Sequence, residues 1–242
     1  MLHVQEFLRN GGSLDALSET RHVHSSVVGD LVLLNYDQLD SPKADEIVIE
    51  CRGLILQMGT WDVVAQSFTR FFNAGDPACA KIGWKGARAI EKVDGSLVTL
   101  FSYSGSWRIA TRGCIDAVGT LPAAPERTFA DAIRPLIDET LLDHNYVYVL
   151  EFVSPWNRIV KRYPAPALYL LTARDVREDH REVDLCELPA MASPQGWRIP
   201  ETFCVADIAD VSMAIDRLVR RTRGSLSWTA PGTGSRSSLY PI

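Results

Sequence analysis

The stretch Ala89-Ile90-Glu91-Lys92-Val93-Asp94-Gly95-Ser96-Leu97-Val98 decides how this chain is read. A lysine stands at the mouth of an Asp-Gly turn, and an apolar run with Leu97, Val98, Leu100 and Phe101 follows it. An ordinary lysine is a weak nucleophile, only about one part in a thousand neutral at physiological pH. A turn that presses the amine against a cationic metal or into a dry pocket favours the neutral form and lets it attack. The same residues also read as a plain hairpin turn, with Asp-Gly supplying the positive φ and Lys92 solvated.

Downstream, Leu97 to Tyr103 turns at Ser104-Gly105 into Ser106 to Gly113, which predicts a β-hairpin. Residues 124–145 predict a helix, since Phe129, Ile133, Leu136, Ile137 and Leu141 recur at three- and four-residue steps, with Pro135 expected to kink or break it. Tyr146 to Val153 reads as a strand. A carboxylate in so apolar a strand is costly to bury alone, so Glu151 calls for a cation, a donor or an open cleft. Ser154 to Asn157 reads as a turn, Arg158 to Tyr163 and Ala167 to Arg174 as strands, Asp175 to Pro200 as turn-rich, and Val205 to Arg221 as an amphipathic helix with Ile208, Val211, Ile215, Leu218 and Val219 on one face.

Upstream, Leu31 to Tyr36 predicts a buried strand and Asp37 to Asp45 a loop. Glu50 to Leu56 and Trp61 to Ser67 read as strands either side of a Gly59-Thr60 turn. Arg70 lies among Phe68, Phe71 and Phe72, an arrangement that suits either a core-edge cluster or a guanidinium stiffened for a phosphate. His22 and His24 flank Val23, a weak metal pair without a third ligand that reads more readily as two surface histidines. Short strands in hairpins with few helices predict an antiparallel α+β fold.

Composition bounds the function. A net charge of -5 and a pI near 5.6 give no global footprint for nucleic acid, so any polyanion site is local. Five cysteines without a C-x-x-C pair favour a reduced, cytoplasmic protein without structural zinc. No segment reads as a membrane span or a signal peptide. The chain has no G-x-S-x-G, H-E-x-x-H or P-loop motif, which weighs against a nuclease or hydrolase.

Taken in order, Asn35-Tyr36, Glu50-Cys51-Arg52-Gly53, Arg70-Phe71-Phe72-Asn73, Lys92-Val93-Asp94-Gly95-Ser96-Leu97, Thr111-Arg112-Gly113 and Glu151-Phe152-Val153-Ser154-Pro155-Trp156-Asn157-Arg158-Ile159-Val160 resemble the adenylyltransferase domain of the phage-type RNA ligases, the family of the first RNA ligase of T-even phages. The likeness runs from about residue 30 to 175. K-x-D-G alone is shared with DNA ligases and capping enzymes, and the Arg-Phe-Phe-Asn and Glu151–Val160 segments point to this branch. The resemblance implies an antiparallel-sheet nucleotidyltransferase domain over residues 1–222 and an ATP-dependent ligase acting with Mg²⁺. Its partner would be RNA with 5′-phosphate and 3′-hydroxyl ends, a broken tRNA among the candidates. Lys92 would take AMP from ATP, Arg52 and Arg70 would grip the triphosphate, and Tyr36, Phe72, Glu91 and Gly95 would shape the nucleotide pocket. Arg112 stands where the family usually has lysine. Glu151 would hold the ribose or the waters of the metal.

The family's Glu-Gly strand and Lys-x-Lys strand are missing, and no lysine follows Lys161. Residues 223–242 have a linker's composition, so the expectation is a disordered tail and a domain lacking its last strands, truncated or changed in reading frame at the C-terminus. Two alternatives stay open: a degenerate module binding nucleotide or RNA ends through Arg52, Arg70 and Arg158, or a related DNA ligase or capping nucleotidyltransferase.

Overall fold

The computed structural model describes residues 1–73, 76–79, 83–222, 225–229 and 236–239. Two helices open the chain: α1 (His3–Arg9) and α2 (Leu14–Arg21), the latter capped by Ser13, whose side chain accepts from Ala16 N. Strands β1 (Val23–Val28) and β2 (Leu31–Tyr36) pair around Gly29 at φ +63°. Helix α3 (Glu46–Glu50) follows, capped by Asp45. Residue 50, expected to begin a strand, ends this helix instead, and its carboxylate accepts the first N–H groups of α1, from His3 and Val4. Strands β3 (Arg52–Gln57) and β4 (Val63–Ala65) complete a four-stranded antiparallel sheet in the order β1-β2-β3-β4.

Next come β5 (Phe72–Asn73), β6 (Arg88–Lys92), β7 (Ser96–Tyr103) and β8 (Ser106–Thr111). The β7–β8 hairpin forms as predicted, with Ser104 and Gly105 both at positive φ, the geometry of a type I′ turn. Residues 124–145 do not form the predicted helix. Strand β9 (Thr120–Leu121) pairs with β10 (Ala124–Thr128), then α4 (Phe129–Ile133) gives way to a 3₁₀ turn over Arg134–Leu136, where Pro135 ends the α-helix. A second 3₁₀ turn covers Glu139–Leu141.

Strands β11 (Tyr146–Val153), β12 (Ala167–Asp175) and β13 (Arg181–Glu182) join β7 and β8 in a five-stranded sheet ordered β13-β12-β11-β7-β8. Helix α5 (Leu188–Ala192) packs on it through Leu188 and Ala192. Residues 158–163 are loop, not the predicted strand. Strand β14 (Thr202–Cys204) leads to α6 (Ile208–Thr222), which buries Val211, Ala214 and Leu218 against Ala87 and Ala89, while Ile208 is exposed. Residues 225–229 and 236–239, expected to be disordered, form β15 and β16. Strand β15 pairs with β6 in the register Ser225↔Lys92, and β16 lies between β15 and β5. The rest of that tail lies outside the described residues.

Leu31, Leu33 and Ile55 of the first sheet pack on Phe101, Ala110 and Val147 of the second. That core fixes the two sheets face to face, with the ends of β2 and β3 close to those of β6, β7, β8 and β11.

Candidate active site

A cleft of about 610 Å³ opens at those strand ends, a volume that suits a nucleotide-sized ligand. Its walls include Tyr36 at the end of β2, Arg52 at the start of β3, Glu91 and Lys92 at the end of β6, Arg112 just past β8, and Glu151 in β11. Gly95, Phe68, Phe71, Leu97 and Phe129 also line it.

The lysine turn is built by contacts on both sides. Gly95 N donates to Glu151 Oε1 (3.1 Å). A Cβ on Gly95 would run into the Phe152 carbonyl oxygen and come to 2.9 Å from Val153 Cγ1, so only glycine lets the turn lie against β11. Asp94 faces away from the cleft, accepting from Val160 N (2.7 Å) and Lys161 N (2.5 Å). Those two bonds take the backbone N–H groups that a strand over 158–163 would need. Glu91 is anchored by Lys161 Nζ (3.6 Å), and its backbone N–H donates to Glu201 O (2.7 Å).

Opposite the turn lies a stack of arginines and aromatics. The Arg52 guanidinium sits over the Phe71 ring at 4.5 Å. Tyr36 is sandwiched between Arg70 at 4.3 Å and Arg112 at 4.8 Å. Arg112 Nε also donates to Asn35 Oδ1 (3.1 Å). Burial pulls the Arg52 guanidinium below its usual range, and its Nη1 is buried with no hydrogen-bond partner. A buried guanidinium nitrogen left without an acceptor is a site for an anion. Glu151 faces Lys92 and Arg52. Withdrawal from water pushes its carboxyl up to about 7, against the pull of Lys92, Arg52 and the Gly95 N–H, with Asp94 adding to the rise.

Two expected site residues stand outside this lining. Arg70 is buried at 3 % exposure, with Nη1 donating to Ser41 O (3.3 Å), so it backs Tyr36 from behind. Phe72 is buried in β5, while its neighbours Phe71 and Phe68 face the cleft. Successive side chains on an extended segment point to opposite sides. Sequence alone does not say which of two adjacent phenylalanines faces in. The role of Asp94 as a clasp for 160–161 was equally invisible, since the partners are backbone groups.

No group of three or more His, Cys, Asp or Glu side chains able to hold a metal occurs among the described residues. Of the carboxylates lining the cleft, Glu91 and Glu151, the second interacts with both Lys92 and Arg52. That fits a magnesium ion held mostly by phosphate oxygens and water, with one carboxylate from the protein.

A family model for RNA ligases of the T4 type 1 branch matches residues 50–225. The chain belongs to this RNA ligase family. Among curated relatives, a protein of Autographa californica nuclear polyhedrosis virus described as a bifunctional polynucleotide kinase/RNA ligase is 32% identical over 198 residues, covering 72% of this chain and 28% of the relative. The RNA ligase of Rhodothermus phage RM378 is 27% identical over 186 residues, covering 61% of this chain and 42% of the relative. The chain thus spans less than half the length of either. Among solved structures, an archaeal ATP-dependent RNA ligase superposes with a TM-score of 0.60 at 16% identity, covering 93% of this chain and 59% of that one. A protein of Aquifex aeolicus described as an ATP-dependent DNA ligase gives 0.63 at 16%, covering 97% and 61%. These likenesses establish the nucleotidyltransferase fold expected from the sequence. No helix among the described residues is long and apolar enough to cross a membrane.

Proposed function

We propose that this chain carries the adenylyltransferase reaction of an ATP-dependent RNA ligase, with residues 1–222 as the adenylyltransferase unit and 225–229 and 236–239 adding the two strands between β6 and β5. The observation that carries the proposal is the convergence of Lys92, Arg52 and Glu151 on one cleft, with Arg52 Nη1 buried and unpartnered. Tyr36, Glu91, Gly95 and Arg112 shape the pocket around ATP, and Arg70 acts through Tyr36.

In the proposed reaction the Lys92 amine attacks the α-phosphorus of ATP. The N–P bond forms as the bond to pyrophosphate breaks, giving a lysyl-adenylate. The ammonium must shed its proton before it attacks, and a divalent ion at the phosphates would favour that loss by charge repulsion. Arg52 and Arg112 neutralise the phosphates, the main task in a transfer that rests on positioning and charge. Magnesium would add charge neutralisation at the phosphates, with Glu151 as its protein contact through water. The adenylate then passes to an RNA 5′-phosphate, and a 3′-hydroxyl displaces AMP to seal the strand.

One observation favours a second reading. The chain has no lysine after Lys161, and β15 and β16 lack the Glu-Gly and Lys-x-Lys residues that the resemblance leads one to expect. A module that binds nucleotide without transferring it would have this composition. A joining assay tests the proposal: 5′-phosphorylated RNA, a cleaved tRNA loop, nicked DNA and a capped-end substrate are each incubated with ATP and Mg²⁺. Joining of RNA in preference to nicked DNA is the expected result. Joining of nicked DNA alone would reassign the substrate, and no joining with ATP still bound would favour the second reading.

A further inference from the structure

One loop is locked to the lysine turn at its root and leaves its tip bare. Besides the two bonds to Asp94 and the Lys161–Glu91 pair, Asn157 Nδ2 donates to Phe152 O (2.9 Å) and Ser96 Oγ (3.1 Å). Beyond this anchor, Arg158 and Arg162 are exposed, as are Ile159 (62%) and Val160 (69%). Fixing a loop costs conformational entropy, and here no buried apolar surface at the tip offsets it. Among the described residues neither arginine has a carboxylate within ion-pair distance. Beside them the Arg127 guanidinium lies 5.1 Å over the Trp156 ring, and Trp156 O accepts from Ala123 N (2.9 Å). That segment runs on to Phe129, which lines the cleft.

We propose that this rim, formed by Arg127, Trp156, Arg158, Ile159, Val160 and Arg162, is the seat of a single-stranded RNA whose end enters the Lys92 cleft. The proposal rests on the ligase reading and names where its second substrate lies. Cations without acidic partners suit phosphates, and an indole with two aliphatic neighbours suits base faces. The chain as a whole carries a net charge of -5, so these cations are a local feature rather than part of a basic surface. Because the loop is clasped by Asp94 and Glu91, RNA on the rim and the lysine turn form one rigid frame. The strand end is thereby held at a fixed offset from the adenylate.

The test is Arg158→Ala with Arg162→Ala, both exposed and outside the cleft lining, titrated by fluorescence anisotropy with a 5′-phosphorylated single-stranded oligoribonucleotide. With about 0.7 of salt slope per phosphate contact, the log–log slope becomes shallower by about 1.4, and affinity at 0.1 M salt falls about 25-fold relative to the high-salt limit. Lysyl-adenylate formation from ATP alone keeps the rate of the unvaried chain. Unvaried affinity and slope in the double variant would overturn the proposal, as would an unvaried chain that binds no RNA. A chain that binds RNA through this rim but takes no label from ATP would refute adenylylation while leaving the rim in place.

Discussion

Replacing Glu151 by glutamine should make the fold's stability less sensitive to pH. The carboxyl ordinarily titrates at 4.5, and in the folded chain it is raised to about 7. Between those values the folded protein holds a proton that the unfolded chain has released. Stability therefore falls as pH rises through this window and levels off above about 7. The gap corresponds to about 3 kcal/mol at its full extent. Glutamine carries no charge and lacks this penalty, although its amide then faces Lys92 and Arg52. The absolute offset between the two proteins matters less than its change with pH. Urea unfolding at several pH values from 4.5 to 8 reads that change. With a slope of about 3 kcal/mol per molar, the variant's midpoint should gain about 1 M on that of the wild type across the range. The same variant should lose adenylyl transfer, the trade expected where a strained site serves chemistry rather than stability. An offset that stays constant across the range would refute the burial argument for Glu151.

Other outcomes follow from the same contacts. Gly95→Ala forces a methyl into β11, costing about 1–3 kcal/mol in denaturant unfolding, and by displacing the turn it should slow labelling from ATP about 100-fold. Asn157→Ala leaves the Phe152 carbonyl and the Ser96 hydroxyl without their donor, a loss of about 1–3 kcal/mol measurable as a lowered unfolding midpoint. Exposed Cys186 and Cys204 should react with a thiol reagent in the native protein. Cys51, fully buried with its thiol pushed up by that burial, should react only on unfolding, as peptide mapping would read.

The sequence carried most of the frame and part of the site. Strands 31–36 and 146–153 were legible because buried apolar runs of that length have few other solutions, and the 97–111 hairpin because Ser104-Gly105 accepts positive φ. The helix expected over 124–145 failed because three separate short turns happen to space Phe129, Ile133, Leu136 and Leu141 like one helix. The first five of its residues instead pair with or extend from Thr120–Leu121. The segment 158–163 holds Ile159, Val160 and Tyr163 as a short strand would, but Asp94 takes the N–H group of Val160 from 66 residues away. In the site, Lys92, Arg52, Tyr36, Glu91, Gly95, Arg112 and Glu151 line one cleft. Arg70 does not, because a guanidinium can satisfy itself on a carbonyl and a ring as well as on a phosphate, and residue type alone does not choose between them. The tail misled through composition: serine and glycine content argued for disorder, but 225–229 finds a free edge on β6.

In the proposed reaction everything downstream depends on the Lys92 amine taking AMP from ATP. Incubation with Mg²⁺ and ATP labelled at the α-phosphate, followed by denaturation and peptide mapping, tests it most directly. A stable label is expected on the peptide bearing Lys92, absent from Lys92→Ala. A chain that binds ATP yet takes no label, or a label that persists in Lys92→Ala, would contradict it.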